Sequence, residues 1–414
     1  MKKTLYIEVS EDIMEKHEMM YCHGDFYKYK DGVFRSIEDG WLRQLTSRKM
    51  DEKFSRTKAN EVLNKISADC YTHIDKINGS ELLNLKNGMF CLKDHKLTEH
   101  SPDYKSTIQL NIAYDEEALC NKWLETLKEI FECDVEKIKI LQEFMGLCLT
   151  KDVKYEKALI SIGEGRNGKS VILYILEQLV GYQNRSAVSL EKFDNPHYIA
   201  NLFGKLVNIS IETSAKSSVY DANFKSIISG DSIEADPKYK KPFMFRPFSK
   251  LVVATNNLPR VDDKSDAFFK RLIILRFNRQ FTEEEQNREL KHELEGELNG
   301  IFNWALSGLE RLKKQKNFKI GQSIIDEVAA YRKENNNVLI FVDECCIIDG
   351  ISDMACNELY KSYVDWCKDS GHKPWSKNKF GREVRKHYNV SPDRSNASRF
   401  YHGMRLLVTH SDVK

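Results

Sequence analysis

The chain has 414 residues, 41% hydrophobic and 30% charged, which is too long for one ordinary core and leads to an expectation of two to four soluble, globular domains. Its 64 Lys and Arg against 62 Asp and Glu leave a formal charge of +2, so net charge does not announce a nucleic-acid partner and any basic binding surface has to be local. The 10 cysteines are irregularly spaced, MKKTLYIEVSEDIMEK carries charges without an apolar signal core, and no run approaches the roughly 18 apolar residues of a membrane span; reduced thiols, a cytoplasmic location and no membrane partner are the expectation.

Up to about residue 105, short apolar runs alternate with turns. Asp31-Gly32 in FYKYKDGVF and Asn87-Gly88 in LNLKNGMFCL each stand between two such runs. These pairs readily take the positive φ angles of a two-residue turn, so both segments are predicted hairpins. From Asp115 to Thr150 the spacing turns helical. Trp123, Leu124, Leu127, Ile130 and Phe131 share one face, and Ile138, Leu141, Phe144, Met145 and Leu149 form a second helix. Residues 155–280 alternate apolar strands with helices, an α/β pattern. TEEEQNRELKHELEGEL then reads as charged helix, a basic junction follows near Lys313–Gly321, and from about Ile324 helices are followed by short strands. Cys356, Cys367 and His372 lack metal-ligand spacing and Cys345-Cys346 lies in an apolar run; these thiols read as small buried hydrophobes.

The most informative segment is GEGRNGKS, Gly163–Ser170, which fits the spacing G-x-x-x-x-G-K-[ST] between a predicted strand, KALISI, and a predicted helix, SVILYILEQLV. Gly163, Glu164, Gly165, Arg166, Asn167 and Gly168 bring backbone N–H groups around phosphate oxygens at a helix N-terminus, which Val171 continues. Lys169 is placed to neutralise β- and γ-phosphates and Ser170 to ligate Mg²⁺, so ATP and Mg²⁺ are the candidate ligands. In KLVNISIET, Glu212 ends an apolar run; its carboxylate is the candidate to polarise the attacking water and support the Mg²⁺ shell. KLVVATNNLP is a third strand, and Asn256 at its end is the candidate to hold that water or sense the γ-phosphate. In DAFFKRLIILRF, Arg271 precedes a fourth strand and is the candidate to reach a neighbouring subunit's nucleotide, a role worth roughly 10³–10⁵ in rate.

Two segments are locally basic. PKYKKPFMFRPFSK, Pro237–Lys250, carries Lys238, Lys240, Lys241, Arg246 and Lys250 and no acid, and its three prolines discourage a helix. An exposed hairpin with lysines at its tip is expected there, able to hold phosphates without reading sequence. In SKNKFGREVRKHY, Phe380, Val384 and Tyr388 share one helical face while Lys379, Arg382 and Lys386 occupy the other. That is the pattern of a recognition helix, with Arg394, Arg399 and Arg405 suited to a basic wing.

GEGRNGKS, LVNISIET, ISGDSIEADPKYKKPFMFRPFSKLVVATNNLP and DAFFKRLIILRF, in that order and spacing, resemble superfamily 3 helicases. More closely they resemble the helicase half of the phage, plasmid and poxvirus primase-helicase family. YKYKDGVF, LLNLKNGMFCL and the helical stretch to GLCL look like that family's N-terminal domain. NELYKSYVDWCKDSG and KFGREVRKHY look like its C-terminal winged-helix domain; no segment resembles a primase. The resemblance implies an N-terminal α+β domain over 1–114, a helical collar over 115–150, an AAA+ ATPase over 151–312 and a winged-helix DNA-binding domain over 313–414. It implies a replicative DNA helicase of a phage or mobile element. Such a helicase is a hexameric homo-oligomer that hydrolyses ATP between subunits and moves 3′ to 5′ on single-stranded and forked DNA. Origin duplex and a separate primase or polymerase would be further partners. Lys238, Lys240 and Lys241 would track DNA in the ring channel, with Tyr239 as a stacking partner. Two readings stay open beside it: a P-loop ATPase that remodels or packages DNA, or acts on RNA, without processive unwinding, and a non-catalytic origin-binding protein. The intact Lys169-Ser170 pair weighs against the second, and the PKYKKPF block before Asn256 against the first.

Overall fold

The computed structural model describes residues 4–211, 218–219, 221–261, 266–388, 391–395 and 398–407, with backbone alone at 218–219, 221–222, 260–261, 391–395 and 398–399. The chain divides into two units, residues 1–262 with 270–324 and residues 263–269 with 325–414.

The first unit opens with α1 (Leu5–Lys16), a meander of β1 (Met19–Cys22), β2 (Asp25–Lys30) and β3 (Val33–Ile37), then α2 (Asp39–Met50) and α3 (Arg56–Asp69). The β2–β3 turn falls on Asp31 (φ 49°) and Gly32 (φ 82°), as expected of an Asp-Gly pair. A second meander follows: β4 (Leu83–Leu85), β5 (Gly88–Phe90) and β6 (Leu97–Thr98). Here Leu85 pairs with Gly88, so the turn residues are Lys86 and Asn87, one position earlier than the sequence suggests. The cause is remote: the Asn87 side chain donates to the Tyr114 carbonyl and accepts from the Tyr114 N–H, both at 2.9 Å.

Helices α4 (Asn121–Ile130) and α5 (Val135–Cys148) bury the faces read from their spacing, with Trp123, Leu127, Leu141, Phe144 and Met145 almost fully covered. Asp134 caps α5 through the N–H groups of Glu136 and Lys137. The central sheet contains β7 (Ala158–Ile162), β8 (Arg185–Ser186), β9 (Val207–Ile211), β13 (Lys250–Thr255) and β15 (Leu272–Arg276). All neighbours are parallel, in the order β15-β7-β13-β9-β8. Every residue of β7 and β13 is buried, which is why these strands read as unbroken apolar runs rather than alternating ones. Around the sheet lie α6 (Lys169–Val180), the short α7 (Pro196–Ile199), α8 (Asp221–Ser229), α10 (Leu290–Glu295) and α11 (Leu298–Gln315). Two-residue strands β10 (Ser218–Val219) and β14 (Arg260–Val261) pair in parallel, and β11 (Ile233–Ala235) with β12 (Phe243–Phe245) forms an antiparallel hairpin. One continuous core joins β4, β5, α4, α5, α6, the sheet and α11.

The charged stretch after the sheet is helical only from Leu290. Residues 281–289 form a loop instead: the Glu285 carboxylate accepts from the Thr282 N–H at 2.9 Å, and Arg279 and Arg166 pair with Glu285 and Glu283, each at 3.2 Å. Those side-chain bonds compete with the helical ladder.

The second unit holds α9 (Asp266–Phe269), most of α12 (Gln322–Glu334), α13 (Asn337–Cys345), β16 (Cys346–Ala355), α14 (Cys356–Asp369), α15 (Lys377–His387), β17 (Ser391–Ser395) and β18 (Ser398–Leu406). Its antiparallel sheet has the order β16-β18-β17, over a core that includes Phe341, Leu359, Tyr363, Phe380, Val384 and Met404. The expectation of helices followed by strands misses β16. An Asp349 turn, accepting from the Ile351 and Ser352 N–H groups, interrupts its apolar run, and its partner strand lies some 50 residues later. Cys346 and Cys367 are buried and Cys345 and Cys356 half-buried. No helix among the described residues is long and apolar enough to cross a membrane.

Candidate nucleotide site and nucleic-acid surfaces

The turn from β7 into α6 is built by GEGRNGKS. Gly165 and Gly168 hold φ of +100° and +84°, and a Cβ on Gly168 would enter the Ile130 side chain, while one on Gly163 would lie 2.7 Å from the Phe277 carbonyl. Helix α6 begins at Lys169 with glycine as its N-cap and no cap from that residue's side chain; in its first turn the Lys169 N–H donates to Oδ1 of Asn167 at 3.4 Å and the Val171 N–H to the Gly168 carbonyl at 3.1 Å. Lys169 is 9% exposed; its amine donates to the Gly163 carbonyl and, at 3.3 Å, to Oδ1 of Asn256. Burial holds that amine below its ordinary pKa. Asn167 is buried, and its Nδ2 has no hydrogen-bond partner among the described residues. A buried lysine, a helix that starts on glycine and an orphaned amide donor in one loop fit a triphosphate anion.

The loop opens on a cleft of about 630 Å³, within the usual range for small-molecule sites. Lys169, Ser170, Val171, Gly165 to Gly168 and Asn256 all line it. Glu164 is exposed beside it. Glu212 lies outside the described residues, one position past Ile211, which does line the cleft. Among the described residues no cluster of His, Cys, Asp or Glu stands ready to hold a metal. The chain's fit to Mg²⁺ is therefore the Ser170 hydroxyl, exposed at the cleft, acting together with phosphate oxygens.

Sequence spacing does not single out the rest of the cleft. Tyr174 donates to Glu295, and Lys291 lies 4.9 Å from the centre of its ring. Phe281 is fixed by its N–H to the Arg166 carbonyl at 2.8 Å, with Arg279 over its ring at 4.5 Å. Lys122, Glu125 and Glu129 come from α4. The one available signal was Tyr174, on α6 a turn and a half beyond Lys169; the others come from segments separated in sequence.

Arg271 does not reach this cleft. It stands at the start of β15, where its carbonyl accepts from Ala158 N–H at 2.8 Å, and the loop lies at the other end of the sheet, ~13 Å away along the strand. Its guanidinium donates to Glu156 at 2.7 Å and to Ser229 at 3.2 Å.

The β11–β12 hairpin presents Lys238, Tyr239, Lys240 and Lys241 in its exposed tip; Tyr239 is fully exposed at φ +66°. The tip is not acid-free in space: Lys240 pairs with Asp25 at 2.5 Å, and the His23 ring stacks on Phe243 with centroids 4.4 Å apart. Lys250 has to be removed from the exposed basic run. It starts β13 fully enclosed, its amine donating to the carbonyls of Thr150 and Phe248, and burial pulls its pKa down to about 8. The hairpin also joins β13 at the end away from Asn256, ~17 Å along a six-residue strand. Its following anchor therefore does not touch the nucleotide cleft.

In the second unit, Phe380 and Val384 of α15 are buried and Tyr388 donates to Asp343 at 3.0 Å. Arg382 is exposed, Lys379 lies 4.0 Å over the Trp375 ring, and Lys386 pairs with Asp266 at 3.1 Å. Arg405 pairs with Asp349 at 3.3 Å; the side chains of Arg394 and Arg399 lie outside the described residues.

Residues 8–132 match the family described as D5 N terminal like, and residues 333–402 the one described as Poxvirus D5 protein-like. Residues 161–271, which carry the phosphate loop, match a family of unknown function, DUF5906. The putative helicase L207/L206 of Acanthamoeba polyphaga mimivirus is 25% identical over 233 residues, covering 51% of this chain and 23% of the relative. The putative helicase 022R of Frog virus 3 (isolate Goorha) is 24% identical over 237 residues, covering 49% and 23%. The chain thus spans about a quarter of the curated relatives it matches. Among solved structures, the A-form apo structure of the NrS-1 C-terminal region aligns with a TM-score of 0.57 at 12% identity, over 97% of this chain and 100% of that one. A second apo structure of that region gives 0.55 over 98% and 100%. At such identity the likeness concerns the fold, a mixed α/β architecture around a parallel five-stranded sheet.

Proposed function

We propose that this chain, which belongs to the D5-like primase-helicase family of phages and poxviruses, is an ATP-driven DNA helicase that works as a ring. The observation that carries the reading is the meeting of Lys169 and Asn256, 87 residues apart, at 3.3 Å inside the cleft formed by GEGRNGKS. A phosphate-binding lysine and a polar amide at the end of the neighbouring strand are what a hydrolytic motor needs to hold charge and water together. The strand order β15-β7-β13-β9-β8 supports an AAA+ core. The sequence helix, strand, helix, helix, strand, strand from α13 to β18 supports a winged helix.

In this reading backbone N–H groups of Gly165 to Lys169 bind the β- and γ-phosphates of ATP, Lys169 neutralises them, and Asn256 orients the attacking water. Glu212 polarises that water; Ser170 and Glu212 would hold Mg²⁺, which would draw charge from the phosphate oxygens. Arg271, at the far end of the sheet from its own cleft, serves the nucleotide of the next subunit; hence the ring. Lys238, Lys240 and Lys241 grip single-stranded DNA, with Tyr239 stacking, and Lys379, Arg382 and Lys386 face duplex.

The test is ATP-dependent strand separation on forked DNA with single-stranded tails of either polarity, beside an RNA duplex of the same sequence. Opening of DNA with a 3′ tail, abolished by Lys169→Ala, is the expected result. ATP hydrolysis without separation of either fork would leave a DNA-remodelling ATPase, and preferential opening of RNA would overturn the DNA assignment.

A further inference from the structure

Beside the edge strand β8 lies a second groove, of about 580 Å³, that the nucleotide site does not use. Among the described residues three cations line it, Arg185, Lys192 and Lys205, and no acidic residue does. Two tyrosines stand at its walls, both with ring surface open to solvent: Tyr182 is 70% and Tyr198 39% exposed. Each ring already has a cation on one face, Arg185 at 4.6 Å from Tyr182 and Lys192 at 4.4 Å from Tyr198. Burial, and then the positive charges of Arg185 and Arg35, hold the Lys205 amine below its ordinary pKa. Two contacts compete with a ligand here: Glu177 pairs with Arg185 at 3.1 Å, and Lys205 donates to the Gln183 carbonyl at 2.6 Å. Lys192 is exposed and Arg185 and Lys205 half-buried, so the groove keeps a surplus of positive charge.

The groove is packed against the β11–β12 hairpin through one of its lining residues. Phe203, on its floor, sits 5.3 Å and 5.6 Å from the rings of Phe243 and Phe245 in β12. The Asp236 N–H, at the hairpin's turn, donates to the Pro196 carbonyl at 3.2 Å.

We propose that this groove is a second binding site for single-stranded nucleic acid, in which bases stack on Tyr182 and Tyr198 while Arg185, Lys192 and Lys205 hold the backbone phosphates. Alternation of aromatic rings and cations along a positively charged groove suits a strand without sequence preference, because every base has a π-face and every linkage a charge. The inference rests on the helicase reading for its biological setting, and for its chemistry on the groove alone. It assigns to the first unit two strand-holding elements side by side, the hairpin and the groove, so that one retains the strand while the other lets go.

Anisotropy of a labelled 20-nucleotide oligothymidylate, and of its RNA counterpart, tests it on the full chain. Tyr182→Ala with Tyr198→Ala should weaken binding about tenfold or more, and Phe at both positions should restore it. Lys192→Ala with Lys205→Ala should reduce the salt slope by about 1.4, from ~0.7 per lost single-strand phosphate contact. Because Lys205 also braces the Gln183 loop, the singly substituted, surface-exposed Tyr182→Ala is the safeguard against misfolding. Photocrosslinks from a bromodeoxyuridine-substituted strand should map to the peptides of Tyr182 and Tyr198. Equal binding of DNA and RNA agrees with the proposed backbone-and-stacking mode, and a DNA preference lost in the tyrosine variants would place the sugar discrimination in this groove. If the groove variants bind like wild type and give wild-type crosslinks while Lys240→Ala with Lys241→Ala loses the strand, the groove proposal fails and the helicase reading stands. If the unaltered chain binds neither strand, both fail.

Discussion

Replacing Lys169 by alanine removes the only side-chain charge buried in the phosphate loop, and the consequence can be sized. Lys169 is 9% exposed and its amine lies 3.3 Å from Asn256, where the effective dielectric is about 20 and a unit charge pair at about 4 Å interacts by about 4 kcal/mol. Part of that is lost to the burial that lowers its pKa. A charge-assisted hydrogen bond contributes about 1.5–3 kcal/mol net, which corresponds to a roughly tenfold to 150-fold loss of nucleotide affinity. Hydrolysis should disappear, because Asn256 also loses the partner that holds its amide at the cleft. The fold should remain: a lost hydrogen bond of about 1 kcal/mol moves the melting temperature of a unit this size by about 2–4 °C. Calorimetric titration with a non-hydrolysable ATP analogue, phosphate release and a thermal melt read the three quantities separately. Wild-type affinity and turnover in the alanine variant would refute the assignment of GEGRNGKS as the phosphate site. A collapse of the melting transition would instead make Lys169 a structural residue.

Arg271→Ala should lower phosphate release by roughly 10³-fold or more, and mixing it into wild type should depress activity beyond simple dilution; a purely proportional loss would mean that Arg271 acts within its own subunit or only braces Glu156. Asp25→Asn releases the hairpin tip from an exposed ion pair worth about 0.2–1 kcal/mol, so oligothymidylate should bind roughly 1.4- to 5-fold tighter, and weaker binding would show that Asp25 supports the DNA-holding position rather than opposing it. For Lys250, whose folded pKa of about 8 lies below the ordinary lysine value, the unfolded chain binds the extra proton between about pH 8 and 10.4. Stability contributed by this residue therefore rises with pH across that window, at up to about 1.4 kcal/mol per pH unit. Urea unfolding of wild type and Lys250→Met at pH 7.5, 8.5 and 9.5 should diverge in slope, and parallel pH dependences would place the amine in water.

Local chemistry was enough for several parts of this protein. The phosphate loop could be read directly because its function resides in consecutive residues: glycines that tolerate φ near +90°, a lysine and a serine at a helix start. Asp31-Gly32 and the apolar faces of α4 and α5 were legible for the same reason, since turn angles and helical periodicity depend on neighbours within a few positions. Buried parallel strands left unbroken apolar runs, so β7, β13 and β15 stood out.

Tertiary structure alone decided what depends on partners far along the chain. Lys250 looked like one more exposed cation until the carbonyls of Thr150 and Phe248 enclosed it. Lys240 looked unopposed until Asp25, 215 residues earlier, came within 2.5 Å. The groove of Tyr182 and Tyr198 carries no motif, because its cations and rings are brought together by an edge strand, a short helix and a loop. The β4–β5 turn shifted by one residue to satisfy Tyr114, and the charged run after β15 gave up a helical turn to side-chain bonds over the cleft. For Lys250, Lys240 and the β4–β5 turn a long-range hydrogen bond or ion pair outweighed a local preference, and an amino-acid sequence records the preference but not the partner.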